Sequence, residues 1–266
     1  MAIIRKMMRH LERFQRKVWA LAAVMQLLPL YIQGQDERAE VLLETTKGNI
    51  RIALFNETPQ HRDNFLKLNR MHVYDSLLFH RVIADFMIQC GDINSKYAKP
   101  GQRLGNGELD YTLEPEFRLP GLFHRRGAVA AAREPDSVNP EQRSGACQFY
   151  IVWGQTCNDR MLDRIQEHLD SMTNGSVKLT PEMVDAYKTL GGAPHLDGQY
   201  TVFGEVLEGL DVVDSIQQMA TDRYDRPYKD VRILRTAIIK DPFAPKMEPK
   251  STNATANGKP RNRKRR

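Results

Sequence analysis

The feature that most constrains the fold is a recurrence of short segments, rich in β-branched and aromatic residues, that are separated by turn-forming residues. Two amphipathic segments with helical spacing frame them, and no parallel β-α-β rhythm is visible. The pattern predicts a mainly β protein, a closed antiparallel barrel capped by two α-helices. The predicted helices are Pro59–Met71 and Val212–Met219, and the predicted strands are Val41–Thr46, Asn49–Phe55, Leu77–Val82, Phe86–Cys90, Gly127–Ala132, Gln148–Trp153, Thr201–Val206 and Val231–Ile239.

One segment interrupts the series of strands. Residues 156–194 contain two stretches with helical spacing and mostly polar faces, Asp159–Leu169 and Met183–Leu190. A cap-like Thr180-Pro181-Glu182 precedes the second stretch. We therefore expect a helical insertion in one loop of the barrel.

The charge is distributed unevenly along the 266 residues. The net charge is +6, but residues 1–17 carry +5 and residues 244–266 carry +7, which leaves residues 18–243 at −6. A basic groove on the folded domain is not implied, so we expect no specific nucleic-acid partner. Residues 244–266 lack apolar periodicity and are predicted to be a disordered basic tail.

The N-terminus has the layout of an export signal. Basic residues up to Lys17 precede an apolar stretch, Val18–Ile32, after which the chain turns polar at Gln33. Residues 1–34 are predicted to be a signal peptide or an N-terminal anchor, and residues 35–243 to be the folded domain. The alternatives are an uncleaved signal anchor and a basic amphipathic helix on a membrane surface. We expect an exported, periplasmic protein whose membrane contact is confined to this N-terminal segment.

Several classes of chemistry lack their usual signatures in the sequence. Neither common phosphate-binding glycine loop occurs, nor an H-E-x-x-H pair, nor a G-x-S-x-G elbow. The three cysteines, Cys90, Cys147 and Cys157, do not have the spacing of zinc ligands. Buried free thiols are the simpler interpretation, and a Cys147–Cys157 disulfide is the alternative for an exported protein. We expect neither a metal ion nor a cofactor.

The segment FHRVIADFMIQCGD, Phe79–Asp92, concentrates unusual residue types. A single arginine, Arg81, stands among apolar strand residues, followed by Phe86, Met87 and Gln89. Taken alone, an arginine in such a place is more often part of a structural ion pair or a surface residue.

This segment resembles the signature of the cyclophilin family, F-H-R-x-I-x-x-F-M-x-Q-x-G-D. Later parts of the chain are similar to further blocks of that family in the same order: Gly127–Ala132, Ser144–Ile151, Leu196–Gly198 and Val202–Val206. The resemblance covers about Val41–Ile239, apart from the insertion. It implies an eight-stranded antiparallel cyclophilin-like barrel with peptidyl-prolyl cis-trans isomerase activity.

The same resemblance implies the roles of particular residues. Arg81 would be the catalytic residue, donating a hydrogen bond to the prolyl nitrogen of a twisted imide. An apolar pocket for the proline ring would come from Phe86, Met87 and Leu196, with Tyr150 where the family usually has Phe. Further substrate contacts, or support for Arg81, would come from Gln89 and Gln148, while Ala132 and the backbone of Arg133 would line the groove.

Two departures alter the rim of the implied pocket. His195 stands where many members of the family carry Trp, and Tyr200 stands where many carry His. Both residues are included among the predicted substrate contacts. Because the indole donor is missing, we do not expect cyclosporin to bind.

The predicted function is isomerisation of X-Pro bonds by a monomer, with proline-containing peptides and unfolded or partly folded client proteins as partners. The alternative is a proline-segment binding module or chaperone with little turnover. A third hypothesis is an isomerase that the basic tail brings to nucleic acid.

Overall fold

The computed structural model describes residues 37–244. The predicted signal or anchor segment, residues 1–34, and all but the first residue of the predicted tail lie outside the described residues. Between residues 37 and 244, no helix combines the length and the apolar character that crossing a bilayer requires.

The described chain forms ten β-strands and four α-helices. The helices are α1 (Pro59–Arg70), α2 (Asp159–Met172), α3 (Pro181–Thr189) and α4 (Leu210–Gln217), with 3-10 turns at Ile93–Tyr97 and Pro194–Leu196. The strands are β1 (Glu40–Thr45), β2 (Gly48–Leu54), β3 (Arg81–Ile83), β4 (Met87–Cys90), β5 (Thr112–Leu113), β6 (Ala128–Ala131), β7 (Ser144–Gly145), β8 (Phe149–Val152), β9 (Val202–Glu208) and β10 (Ile233–Lys240).

Eight of these strands form one antiparallel sheet in the order β10-β1-β2-β9-β6-β8-β4-β3, and β5 pairs separately with β7. The predicted opening hairpin is present as β1 and β2. Its turn is held by the Thr45 hydroxyl, which donates to the carbonyl of Gly48 at 2.6 Å. Gly48 has φ +132, a value that favours glycine. The prediction of a mainly β fold with an eight-stranded antiparallel sheet is confirmed.

The prediction of a closed barrel is not confirmed. The two end strands, β10 and β3, do not pair along a ladder, although a bridge joins Leu78 to Arg232 just outside them. The outer edge of β3 bonds to a loop instead, because the N–H of Val82 donates to the carbonyl of Asp225 at 2.8 Å. The described strands therefore form an open, curled half-barrel.

The main apolar core lies where the sheet meets helices α1 and α4. Helix α1 begins at Pro59, as the sequence predicts, and buries Phe65, Leu66 and Leu68. The ring of Phe65 lies 4.9 to 5.4 Å from three other aromatic rings, those of Tyr74, Phe149 and Phe203. Burying a ring of this size contributes about 2–3 kcal/mol to stability, so this cluster fixes α1 on the sheet.

The predicted insertion helices are present as α2 and α3, between β8 and β9. Each has a side-chain cap: Asn158 accepts from the N–H of Met161 at 2.9 Å, and Thr180 accepts from the N–H of Met183 at 3.3 Å. The insertion has its own small apolar cluster, whose buried members are Phe123, Cys157, Leu162, Met183 and Tyr187.

All three cysteines are buried, free thiols. The alternative Cys147–Cys157 disulfide is not formed. Burial raises the pKa of each thiol, so the three side chains stay protonated. The thiol of Cys147 donates to Oε1 of Glu108 at 2.6 Å.

Candidate active site

An open cavity of about 400 Å³ lies beside the β3–β4 hairpin. Nine of the eleven residues predicted for the site line it: Arg81, Phe86, Met87, Gln89, Ala132, Arg133, Tyr150, Leu196 and Tyr200. The other two adjoin this lining, since Gln148 bonds to Gln89 and the ring of His195 lies 5.4 Å from that of Phe86. The fold thus brings the predicted residues together, while their roles stay predictions.

The β3–β4 hairpin sets the position of the arginine. Arg81 on β3 lies opposite Gln89 on β4 in the antiparallel register. In the connecting turn, Asp85 has φ +56, and its N–H donates to the side-chain oxygen of Gln217 on α4 at 2.8 Å. Helix α4 therefore holds the turn from which Phe86 and Met87 enter the cavity lining.

The guanidinium of Arg81 has one carboxylate partner. Its Nε donates to Oδ2 of Asp225 at 3.2 Å, and the side chain is 43% exposed. Within residues 37–244, the two terminal nitrogens of Arg81 have no hydrogen-bond partner, so their N–H groups are free for a ligand. Sequence reasoning missed Asp225, which lies 144 residues after Arg81 in a loop with no motif of its own.

The two glutamines bond to each other rather than to Arg81. Nε2 of Gln89 donates to Oε1 of Gln148 at 3.0 Å. Nε2 of Gln148 in turn donates to the carbonyls of Gly105 and Gly107, at 2.9 and 3.0 Å. Both predicted roles of the two glutamines, support for Arg81 and contact with a substrate backbone, stay predictions.

The cavity continues into a second one of about 390 Å³. The two share Gln89, Gly105, Ala132 and Arg133, and the second also includes Gln148. Together they form one continuous groove.

The side chain of Arg133 has a structural role at the rim. Its Nε donates to the carbonyl of Gln199 at 2.8 Å, and its guanidinium lies 4.5 Å from the centre of the Tyr200 ring. It also pairs with Asp136 while remaining 3% exposed. These contacts hold the chain around Tyr200 against the groove.

The floor of the cavity is apolar with one polar attachment. Tyr150 is 5% exposed, and its hydroxyl lies 3.0 Å from Nε2 of His124. Burial raises the pKa of Tyr150 well above its usual value, so the hydroxyl stays protonated. The ring of Tyr200 meets that of Tyr150 edge-on at 6.1 Å, on the cavity side.

A second imidazole, His80, lines the cavity next to Arg81 and was missed by sequence reasoning. It is 3% exposed, and neither ring nitrogen has a hydrogen-bond partner among the described residues. Burial lowers the pKa of His80 to about 4, which keeps the ring neutral near pH 7. Its place beside Arg81 in the Phe79–Asp92 segment was the only signal that could have found it.

The site combines free N–H donors with an apolar floor. Within residues 37–244, no group of three or more His, Cys, Asp and Glu side chains is arranged to hold a metal ion. A small apolar ring could rest on Phe86, Met87 and Tyr150 with its backbone beside Arg81. The site therefore places N–H donors beside an apolar surface.

The chain belongs to the cyclophilin-type peptidyl-prolyl cis-trans isomerases, a family of enzymes. Residues 40–238 match the model of the family described as "Cyclophilin type peptidyl-prolyl cis-trans isomerase/CLD". A Staphylococcus aureus (strain COL) protein named for peptidyl-prolyl cis-trans isomerase activity is 32% identical over 200 residues, which are 75% of this chain and 91% of that protein. Peptidyl-prolyl cis-trans isomerase-like 4 of Aspergillus oryzae is also 32% identical, over 213 residues, covering 76% of this chain and 38% of that protein.

Solved structures show the same fold. A cyclophilin-type peptidyl-prolyl cis-trans isomerase of Cryptosporidium parvum superposes with a TM-score of 0.54 at 19% sequence identity, covering 77% of this chain and 99% of that chain. A crystal structure of that protein in the presence of the dipeptide Ala-Pro has a TM-score of 0.51 at 20% identity, covering 76% of this chain and 99% of that chain.

Proposed function

We propose that the protein isomerises X-Pro peptide bonds in client polypeptides, with Arg81 as the catalytic residue. The observation that carries this proposal is the setting of the guanidinium. Asp225 holds its Nε beside a cavity with an apolar floor, and the terminal N–H groups are unoccupied within the described residues.

Rotation about an X-Pro bond is slow because resonance gives the C–N bond partial double-bond character, with a barrier of about 18–20 kcal/mol. Conjugation is lost in the twisted transition state, and the prolyl nitrogen then becomes a hydrogen-bond acceptor. Arg81 stays protonated, so it acts as a donor and not as a base. A donor that bonds the twisted imide more strongly than either planar isomer lowers the barrier.

The cavity supplies the second requirement, a fixed proline ring. Phe86, Met87 and Leu196 surround the space beside Arg81, and Tyr150 forms its floor. Apolar contact with these side chains would hold the prolyl side of the bond while the preceding residue rotates. This step needs no nucleophile and no proton transfer.

We propose proline-containing polypeptides as the substrate class. The related Cryptosporidium parvum structure was determined in the presence of Ala-Pro, which supports proline-containing peptides as ligands of this groove. Unfolded and partly folded proteins expose such segments, so we propose them as the clients.

The test is the isomerisation of an Ala-Pro tetrapeptide by the full chain, measured by NMR exchange. Arg81→Ala should lower kcat/KM at least tenfold, which corresponds to about 1.4 kcal/mol of transition-state stabilisation. Arg160→Ala, which removes an exposed arginine of α2, is the matched control and should leave the rate unchanged. All variants are compared at equal folded content by circular dichroism.

A folded wild-type protein that accelerates neither the peptide nor a proline-limited refolding reaction would overturn the proposal. The alternative of a binding module with little turnover would then stand.

We further propose that the protein is exported to the periplasm. Support comes from the basic and then apolar layout of residues 1–34. Cell fractionation with N-terminal sequencing tests this, and a mature chain that begins at Met1 in the cytoplasmic fraction would contradict it.

A further inference from the structure

A buried carboxylate, Asp197, joins the helical insertion to the cavity. It is fully buried and directly follows Leu196. Its Oδ1 accepts from the backbone N–H of His124 at 2.9 Å and from Nδ1 of His124 at 2.8 Å. Its Oδ2 accepts from the hydroxyl of Tyr187 at 2.6 Å. A buried carboxylate without partners is strongly disfavoured, so these donors hold the side chain in one position.

From Asp197 the network reaches the cavity along two paths. Asp197 ends the 3-10 turn Pro194–Leu196, which places Leu196 in the cavity lining and His195 against the ring of Phe86. The second path runs through His124, whose Nε2 bonds to the hydroxyl of Tyr150 at 3.0 Å. The carboxylate of Asp197 is therefore connected both to Leu196 in the cavity lining and to Tyr150 in the cavity floor.

In the other direction, the network reaches the insertion through Tyr187 on α3. Tyr187 is fully buried, and its ring meets that of Phe123 edge-on at 5.4 Å, inside the insertion's apolar cluster. Backbone bonds fasten the same region: the N–H of Cys157 donates to the carbonyl of Tyr187 at 2.9 Å, and the N–H of Ala193 donates to the carbonyl of His124 at 2.8 Å. The hydroxyl of Tyr187 thus has a fixed position.

The partners determine which atom carries each proton. Nδ1 of His124 donates to a carboxylate oxygen of Asp197, and Nε2 faces the hydroxyl of Tyr150. Burial raises the pKa of both Tyr150 and Tyr187, so both hydroxyls stay protonated and donate. Every bond between the insertion and the floor is therefore matched as donor to acceptor.

We propose that Tyr187 is a positioning residue of the cavity, holding Leu196 through Asp197 and Tyr150 through Asp197 and His124. The insertion thereby sets how tightly a proline-containing segment binds. This inference rests on the proposed function, since it concerns the same cavity. Arg81 lies on the β3–β4 hairpin and has no bond to the network, so binding should change while the rate of the bound state does not.

The test is an NMR titration of the full chain with an Ala-Pro tetrapeptide, which gives the Kd and the exchange rate of the saturated complex together. Tyr187→Phe removes the hydroxyl and keeps the ring. We expect its Kd to rise about three- to tenfold, with an exchange rate at saturation within about twofold of wild type. The methyl resonances of Leu196 should shift in the same variant without any ligand.

Two variants of the same insertion serve as controls. Thr180→Ala removes the cap of α3, which lowers stability without touching Asp197. Lys188→Ala, next to Tyr187, removes the exposed ion pair with Asp159. Both should leave the Kd and the Leu196 methyl resonances as in wild type.

The path to the floor is tested separately with Tyr150→Phe and the double variant. Residues that act in one network have non-additive effects, so the increase in Kd of the double variant should be smaller than the product of the single increases. An increase equal to that product would overturn the path through His124.

The whole proposal would be overturned if Tyr187→Phe and Thr180→Ala had the same Kd for the peptide and the same chemical shifts of the Leu196 methyl groups. If wild type binds the peptide without accelerating exchange, the proposed function fails. The Kd and the methyl shifts would then still decide whether Tyr187 positions the cavity.

Discussion

The two walls of the cavity are held by different kinds of structure. The hairpin wall, residues 81–90, carries Arg81 on a contiguous stretch of chain, and its ion pair with Asp225 is about 40% exposed on both sides. The turn wall, residues 194–200, is fixed by the fully buried Asp197. Exposed pairs contribute little to stability, whereas breaking a buried network is strongly destabilising. Damage to the turn wall should therefore appear first in stability, and damage to Arg81 first in turnover.

The largest expected effect is that of Asp197→Ala on the turn wall. The change leaves the donors on His124 and Tyr187 unpaired in the interior, so the free energy of unfolding should fall by about 2–4 kcal/mol. Urea denaturation followed by circular dichroism measures it. Asp185→Ala, at an exposed position on α3, is the control. A loss below about 1 kcal/mol would remove the distinction between the walls.

Arg81→Lys on the hairpin wall should have the opposite effect, a loss of activity with little loss of stability. Lysine keeps the charge but loses the planar fork of N–H donors, so kcat/KM should fall about tenfold or more. Because the side chain is 43% exposed, the urea midpoint should stay close to that of wild type. If the Arg81→Lys variant retains full activity, the charge alone is sufficient and the geometry of the guanidinium is not required.

Acid should destabilise the same side of the cavity, because His80 directly precedes the hairpin wall. Its pKa is about 4 in the folded state and near 6.5 in the unfolded state, so the unfolded state binds more protons between these values. Stability from this group is complete above about pH 6.5 and falls as the pH is lowered towards 4. Between pH 7 and 5 the decrease should be about 1–2 kcal/mol.

Urea denaturation at several pH values measures this decrease, and His80→Gln should reduce the slope. His168→Gln, which replaces an exposed histidine of α2, is the control. A slope that His80→Gln leaves unchanged would show that the buried imidazole is not its source.

The smallest effect is expected for Asp225→Asn. The amide keeps an acceptor near Nε of Arg81 but removes the charge, so kcat should fall about three- to fivefold with little change in KM. Melting temperature should not change, since the pair is half exposed. Asp110→Asn, at an exposed position, is the control. A change in KM alone would place Asp225 in binding rather than in positioning Arg81.

The sequence predicts those parts of the fold whose pattern is local. Local segments predict the eight strands of the main sheet and all four helices, although only Arg81 and Val82 of the predicted strand Leu77–Val82 lie in β3. Strands β5 and β7 have two residues each, too short for any periodicity to appear. The sheet stays open at the edge of β3, where Val82 bonds to a loop residue more than a hundred positions away. No local pattern reports such a bond.

The same limit applies to the site. Arg81, Phe86, Met87 and Gln89 lie in one contiguous segment, and the resemblance to a family placed the remaining predicted residues. No contiguous motif contains Asp225, His124 or Tyr187. Each of them contacts a partner that is distant in the sequence and comes near only in the folded chain. The pairing of Gln89 with Gln148 was equally invisible, since two amides can bond to each other, to a substrate or to an arginine.

The three buried thiols lie in two packing environments, and this has a practical consequence. Cys90 on β4 and Cys147 just before β8 both belong to the main core, whereas Cys157 belongs to the insertion's own cluster. An alkylating reagent reaches a buried thiol only when the surrounding structure opens, so its rate of modification measures the free energy of that local opening. Mass spectrometry of partly alkylated protein would therefore compare the free energy of opening of the insertion with that of the sheet. No label has to be added to the chain.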